Sequence, residues 1–116
     1  MKDDLPFLYH ILDEIAYIKR KTVSLSCDEI RLDEDLSRSI PRSLEIIGEA
    51  VKNLSPGFRE MHPDIPWSDI AGLRDKLIHG YFGIKWIIVC SVISHDIIDL
   101  ETRIRQILSS ERPSDT

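Results

Sequence analysis

The sequence predicts an all-α fold: an up-and-down antiparallel helical bundle of about four long helices with short helical turns between them. Three observations lead there. Apolar residues recur at spacings of three and four along most of the chain. No stretch alternates with period two for long enough to form a strand. Gly (5) and Pro (6) are too few for a sandwich or barrel built on many tight turns. The 116 residues fit one domain, 1–116. A chain of this length buries roughly 65 % of its unfolded surface, enough for a core without staples.

The first helix, about Asp4 to Lys21, puts Leu8, Ile11, Leu12, Ile15 and Ile18 on one stripe. Lys19, Arg20 and Lys21 crowd its last turn, where cations favour the negative end of the helix dipole. Ser26-Cys27-Asp28-Glu29 reads as a capping box that opens a short helix. The second long helix is expected from about Asp33 to Leu54. Leu36, Ile40, Ser43, Leu44, Ile47, Ala50, Val51 and Leu54 share one face, and Arg38, Arg42, Glu45, Glu49 and Lys52 the other. Asp33-Glu34-Asp35 reads as its start, and Pro41 should kink it. Ser55-Pro56-Gly57 ends it and can cap a short turn through Met61.

After the two-proline linker His62 to Pro66, a third helix is expected from Trp67 to about His79. Gly80 and Gly83 bracket a break. Ile84 to Leu108 is helical again, with Trp86, Cys90, Ile93, Ile97, Leu100, Ile104 and Ile107 on its stripe. The tail, about 109–116, is polar.

Lys and Arg number 15 against 20 Asp and Glu, a net charge of −5. That excludes a general nucleic-acid coat protein, whose affinity rests on phosphate neutralisation, but leaves room for a local basic site. Cys27 and Cys90 form no Cys-x-x-Cys pair, so neither a disulfide framework nor a zinc site is expected, and a reducing cytoplasm is the default. The N-terminus lacks a signal-peptide apolar run, and no apolar stretch reaches the ~18 residues of a membrane span. A cytoplasmic location is expected.

Two features exceed what packing needs. Trp67, Ile70, Ala71, Leu73, Leu77 and Ile78 form one face of the third helix, with Ser68, Asp69, Gly72, Asp75, Lys76 and His79 opposite. Arg74 projects into the middle of the apolar face, where a cation must be paired, snorkelling or used. Ile84, Ile87, Ile88, Val92 and Ile98 form a second apolar face on the last helical segment. A helix apolar on two sides in so small a bundle points to a homodimer through it.

Arg74-Asp75-Lys76-Leu77-Ile78-His79-Gly80-Tyr81 sets an arginine, four residues, a histidine, one residue and a tyrosine in order. This segment resembles the signature of the HEPN superfamily in its HepT-like toxin branch. Leu44-Glu45-Ile46-Ile47-Gly48-Glu49-Ala50 and the run Ile65 to Arg74 resemble the same branch, so the likeness covers roughly residues 4 to 108. The resemblance implies a metal-independent endoribonuclease, the toxin of a type VII-like toxin–antitoxin pair, acting on RNA as a homodimer without a cofactor. It implies Arg74 and His79 as catalytic residues. It also implies a minimal nucleotidyltransferase partner of the MntA type, which silences the toxin by transferring AMP from ATP to Tyr81. Two positions depart from the pattern: Lys85 stands where the branch usually has aspartate, and Asp75 where many HEPN nucleases have asparagine.

The chemistry is compatible. Metal-free RNA cleavage needs a base for the 2′-hydroxyl, an acid for the 5′-oxygen and a cation against the phosphorane. Histidine titrates near neutrality, and arginine offers a fixed, forked charge. Residues five apart on a helix sit ~140° apart, so Arg74 and His79 of one chain converge only with unwinding near Gly80 or with a second copy. Lys76 could add local positive charge, and Asp75 could orient Arg74 or His79. A nucleotide on Tyr81 would block RNA sterically and by charge.

Blander roles exist for each: His79 as a helix C-cap, Tyr81 as a core tyrosine, and His10, His62 and His95 as surface or packing residues. Two rival functions remain at this point. One is a non-catalytic nucleotide- or substrate-binding helical subunit of a minimal nucleotidyltransferase. The other is a structural dimerisation module in which Arg74 belongs to a buried ion pair.

Overall fold

The computed structural model describes residues 2–79 and 83–110, and of His79 the backbone alone. A 3-10 turn, Lys2–Asp4, leads into α1 (Leu5–Thr22), followed by α2 (Cys27–Leu32), α3 (Leu36–Lys52) and α4 (Pro56–Met61). Next come α5 (Trp67–Ala71) and α6 (Leu73–Leu77), then two-residue strands β1 (Ile78–His79) and β2 (Gly83–Ile84). The chain closes with α7 (Trp86–Ser91), a π turn (Val92–Asp96) and α8 (Ile97–Ser110). The architecture is the expected all-α bundle, with α1 against α3, α8 against α1, and α5 and α6 against α3.

The start signals act as their chemistry requires. Ser26 Oγ accepts the Glu29 N–H at 3.1 Å and Glu29 Oε1 accepts the Ser26 N–H at 3.0 Å, a complete capping box for α2. Asp33 Oδ1 accepts the N–H groups of Asp35 and Leu36, satisfying orphan donors at the head of α3. Pro41 is buried inside α3, which runs through it to Lys52. At the α3–α4 corner, Ser55 Oγ accepts the Phe58 N–H. The buried Asp4 carboxylate in turn takes the Ser55 N–H at 2.7 Å and the Ser55 hydroxyl at 2.9 Å. These bonds pin the head of α1 to that corner.

Leu8, Ile11, Ile15 and Ile18 of α1 meet Ile40, Leu44, Ile47 and Val51 of α3 and Ile97, Leu100, Ile104 and Ile107 of α8 in one core. At its margin, Lys19 Nζ donates to Glu101 Oε1 at 2.9 Å and ties α1 to α8. That bond, with a second from Arg105, holds the Glu101 carboxyl below its ordinary pKa.

Three departures from expectation have physical causes. The expected third helix is broken at Gly72, whose backbone (φ −90°, ψ 11°) leaves helical geometry between α5 and α6. It ends at Leu77, two residues before His79, because Ile78 turns extended (φ −103°, ψ 127°) and pairs with Ile84. In the last segment the π turn adds a residue to the repeat. Val89 and Val92 are therefore buried upstream of Ile97, while Trp86, Cys90 and Ile93 are only partly so.

The third departure overturns the cysteine expectation. Cys27 and Cys90 are joined by a disulfide across a sequence separation of 63, linking the first turn of α2 to α7. Their Cα atoms lie 5.9 Å apart, a spacing that a disulfide spans. The pairing is long-range, brought about by packing of α2 beside α7, and no sequence spacing announces it.

α3 and α5 pack backbone to backbone at Gly48. A Cβ there would lie 2.9 Å from the Ile70 carbonyl oxygen and 3.4 Å from that of Ala71. Gly48→Ala is therefore expected to destabilise the fold by about 1–3 kcal/mol in urea denaturation, although alanine is the better helix former by about 1 kcal/mol. Cys27→Ser should lose about 2–4 kcal/mol relative to the oxidised chain and remove any effect of a reducing agent on its melting temperature.

Candidate active site

The motif residues are distributed over a helix, a turn and a hairpin. Arg74 is the second residue of α6, and its side chain is exposed and makes no hydrogen bond or ion pair among the described residues. The expected intrusion of Arg74 into the apolar face is thus corrected. Leu73 and Leu77 are buried as predicted, but the break at Gly72 confines α6 to a single short turn whose outer side carries Arg74, Asp75 and Lys76. Asp75 is exposed and also without a partner among the described residues. Lys76 Nζ lies 3.2 Å from Asp69 Oδ1, so its charge is largely met within the chain.

The chain leaves α6 through β1 and returns through β2 in antiparallel register, Ile78 opposite Ile84 and His79 opposite Gly83. The Lys85 N–H donates to the Leu77 carbonyl at 2.8 Å and closes the hairpin base. The unwinding that Arg74 and His79 need in order to converge therefore begins at Ile78, not at Gly80. The side chain of His79, the segment 80–82 and with it Tyr81 lie outside the described residues.

A groove of about 600 Å³ runs between α5–α6 and the final helical segment. Ile70, Leu73 and Lys76 line one wall, Ile87, Ile88 and His95 the other; Arg74 and Asp75 do not line it. Ile87 is 88 % exposed and Ile98 44 %, so part of the predicted second apolar face is open, while Val92 has moved into the core. His95 sits on the π turn with Nδ1 3.4 Å from the Ser91 carbonyl oxygen. His62 packs against Phe58 with ring centroids 4.8 Å apart. Among the described residues no group of three His, Cys, Asp or Glu side chains is placed to hold a metal ion. Nor is any helix among them long and apolar enough to cross a membrane.

Lys85 is the residue whose position sequence reasoning underused. It is exposed, stands at the N-cap of α7 and anchors the hairpin by its backbone. The available signal was a lysine at a helix start, where the dipole disfavours a cation.

A family model described as "Ribonuclease HepT-like" matches residues 11–107. The chain is 46 % identical over 112 residues to a "Putative RNase" of Caldanaerobacter subterraneus subsp. tengcongensis, covering 97 % of this chain and 100 % of the relative. A "Putative RNase" of Methanocaldococcus jannaschii is 42 % identical over 117 residues, covering 97 % of each chain. The "Probable ribonuclease HepT" of Thermococcus cleftensis is 35 % identical over 101 residues, 87 % of this chain and 92 % of that protein. No solved structure matches the chain.

An exposed, unpaired Arg74 contributes little to folding. Arg74→Ala should unfold within about 0.5 kcal/mol of the parent. A loss of several kcal/mol in the same denaturation experiment would restore the buried-ion-pair role.

Proposed function

The chain belongs to the HepT-like ribonuclease family and is with it an RNA-cleaving enzyme; from that premise we propose a metal-independent endoribonuclease whose chemistry rests on Arg74 and His79. The observation that carries the reading is Arg74 itself. In a chain with net charge −5, where most described cations are matched to carboxylates, this motif arginine is held out to solvent without one. Arg20 and Arg59 also lack a carboxylate, but Arg20 lies over the Tyr17 ring and Arg59 is half-buried, whereas Arg74 is exposed and stands in the motif just before the strand that carries the His79 backbone.

In the proposed reaction His79 removes the proton from a ribose 2′-hydroxyl, and the 2′-oxygen attacks the adjacent phosphorus. Arg74 meets the charge that builds on the phosphorane oxygens. The bond to the 5′-oxygen breaks as that oxygen takes a proton. The products are a 2′,3′-cyclic phosphate and a 5′-hydroxyl. One chain brings one motif histidine, so the base and the acid come most simply from two copies. Ile87, Ile88 and Ile98 beside the groove supply an open apolar surface for such a homodimer.

The remaining roles follow from the family resemblance. The enzyme acts as the toxin of a type VII-like pair; a cytoplasmic location follows from that resemblance and no longer from the cysteines, which are bridged. Its antitoxin is an MntA-like minimal nucleotidyltransferase that transfers AMP to Tyr81, two residues past His79. Asp75, which makes no ion pair with Arg74 among the described residues, orients Arg74 or His79 only in the RNA-bound state, and Lys76 adds to the local field only when its pairing with Asp69 opens.

The test is an RNA cleavage assay in EDTA. It uses chain whose intact mass shows an unmodified Tyr81, assayed with and without reductant because of the Cys27–Cys90 bridge. Cleavage leaving 2′,3′-cyclic phosphate ends is expected, reduced about 10²–10⁴-fold in His79→Ala and comparably in Arg74→Ala. Equal cleavage by His79→Ala, or none by unmodified dimer, rejects the reading in favour of a non-catalytic binding subunit.

A further inference from the structure

We propose that Lys85 is an RNA-backbone contact of this enzyme, gripping a phosphate beside the one held by Arg74. The inference rests on the nuclease reading above and assigns a substrate-binding residue that the motif does not contain.

The first support is that Lys85 has no structural employment for its side chain. It occupies the N-cap of α7, where Ser, Thr, Asp or Asn would accept an orphan N–H, and it makes no side-chain cap. Its ammonium also stands at the positive end of the long helical segment 86–110, the wrong sign for the helix dipole. A local choice that opposes stability, with no described carboxylate paired to offset it, is the pattern expected of a residue kept for function.

The second support is charge placement. Many cations on the described surface are neutralised at short range: Lys19 by Glu101, Arg31 by Asp28, Arg42 by Glu45, Lys52 by Glu49 and Arg103 by Asp99. Lys2, Arg20, Lys21 and Arg59 have no carboxylate partner among the described residues but lie outside the stretch from Arg74 to Lys85 that holds the motif. Lys85 and Arg74 are both exposed and both unpaired among the described residues. They also flank the same short structure. The Lys85 N–H is bound to the Leu77 carbonyl, and Arg74 lies three residues before Leu77, about 4.5 Å along the axis of α6. The β1–β2 pair that carries the His79 backbone emerges between them. Two exposed positive charges, one on α6 and one at the base of the β1–β2 pair, suit neighbouring phosphates of one RNA strand. Phosphate contacts position a strand without reading its sequence. Lys85 therefore contributes to affinity and register, not to base preference.

The test uses the full chain with His79→Ala, which binds without cutting, and a fluorescent single-stranded RNA followed by anisotropy across a salt series. Adding Lys85→Gln should raise Kd about tenfold and flatten the slope of log K against log salt by about 0.7. Lys85→Arg should keep both near the parent. In the active background Lys85→Asp should raise Tm, because a carboxylate suits the helix N-terminus, while lowering kcat/KM through KM. An unchanged Kd and salt slope in Lys85→Gln would overturn the assignment while leaving the nuclease intact, provided the parent cuts RNA. A fall in Tm for both Lys85→Gln and Lys85→Asp would mark a structural lysine and overturn it as well. A parent that neither binds nor cuts RNA would remove the nuclease reading and this inference together.

Discussion

The separation of α3 and α5 at Gly48 governs where the rest of the molecule can place its chemistry. A side chain of even one carbon would meet the Ile70 carbonyl oxygen at 2.9 Å, so the two helices approach backbone to backbone. Ile70 is buried beside that contact, Trp67 is buried against Phe58 with its indole N–H donating to the His62 carbonyl, and the short turn that follows starts from there. From there α6 has room for only five residues before Ile78 turns extended. Arg74 sits where it does because α5 is held tightly and α6 is short. The buried Asp4–Ser55 bonds perform a comparable service at the other end of α3, fixing the corner from which the linker to α5 departs.

Charge is arranged with the same economy. Most cations have a carboxylate within reach, frequently one helical turn away, so the acidic surface is locally balanced and long-range attraction for a polyanion is weak. On the proposed reading, an RNA strand is held mainly where that balance is missing around the motif. This favours a confined, specific encounter over non-specific coating, in keeping with a net charge of −5.

Much of this was legible in the sequence, and the reasons differ by residue. The stripes of α1 and α3 predicted their buried faces because a helix of 18 or 17 residues averages over local exceptions. The capping box at Ser26 was readable because its chemistry is complete within four residues. The break at Gly72 and the π turn at Val92–Asp96 were not, since both answer to packing against other elements and shift the phase of an otherwise regular pattern. The same blindness put Arg74 in the core on paper. The pairing of Cys27 with Cys90 depends on two helices 63 residues apart meeting in space, which no local rule can see. The motif itself was legible as an ordered set of residue types. Its geometry was not, because an Arg-x4-His spacing read as continuous helix is here split between a helix and an extended turn.

The Cys27–Cys90 bond has a topological meaning apart from stability. It closes a covalent ring that contains α3, α4, α5, α6 and both strands, and therefore every residue of the Arg74 to Tyr81 motif. A peptide bond hydrolysed anywhere inside that ring yields two pieces that remain one molecule. Only a backbone cut together with reduction can physically separate Arg74 from the helices on which it is mounted.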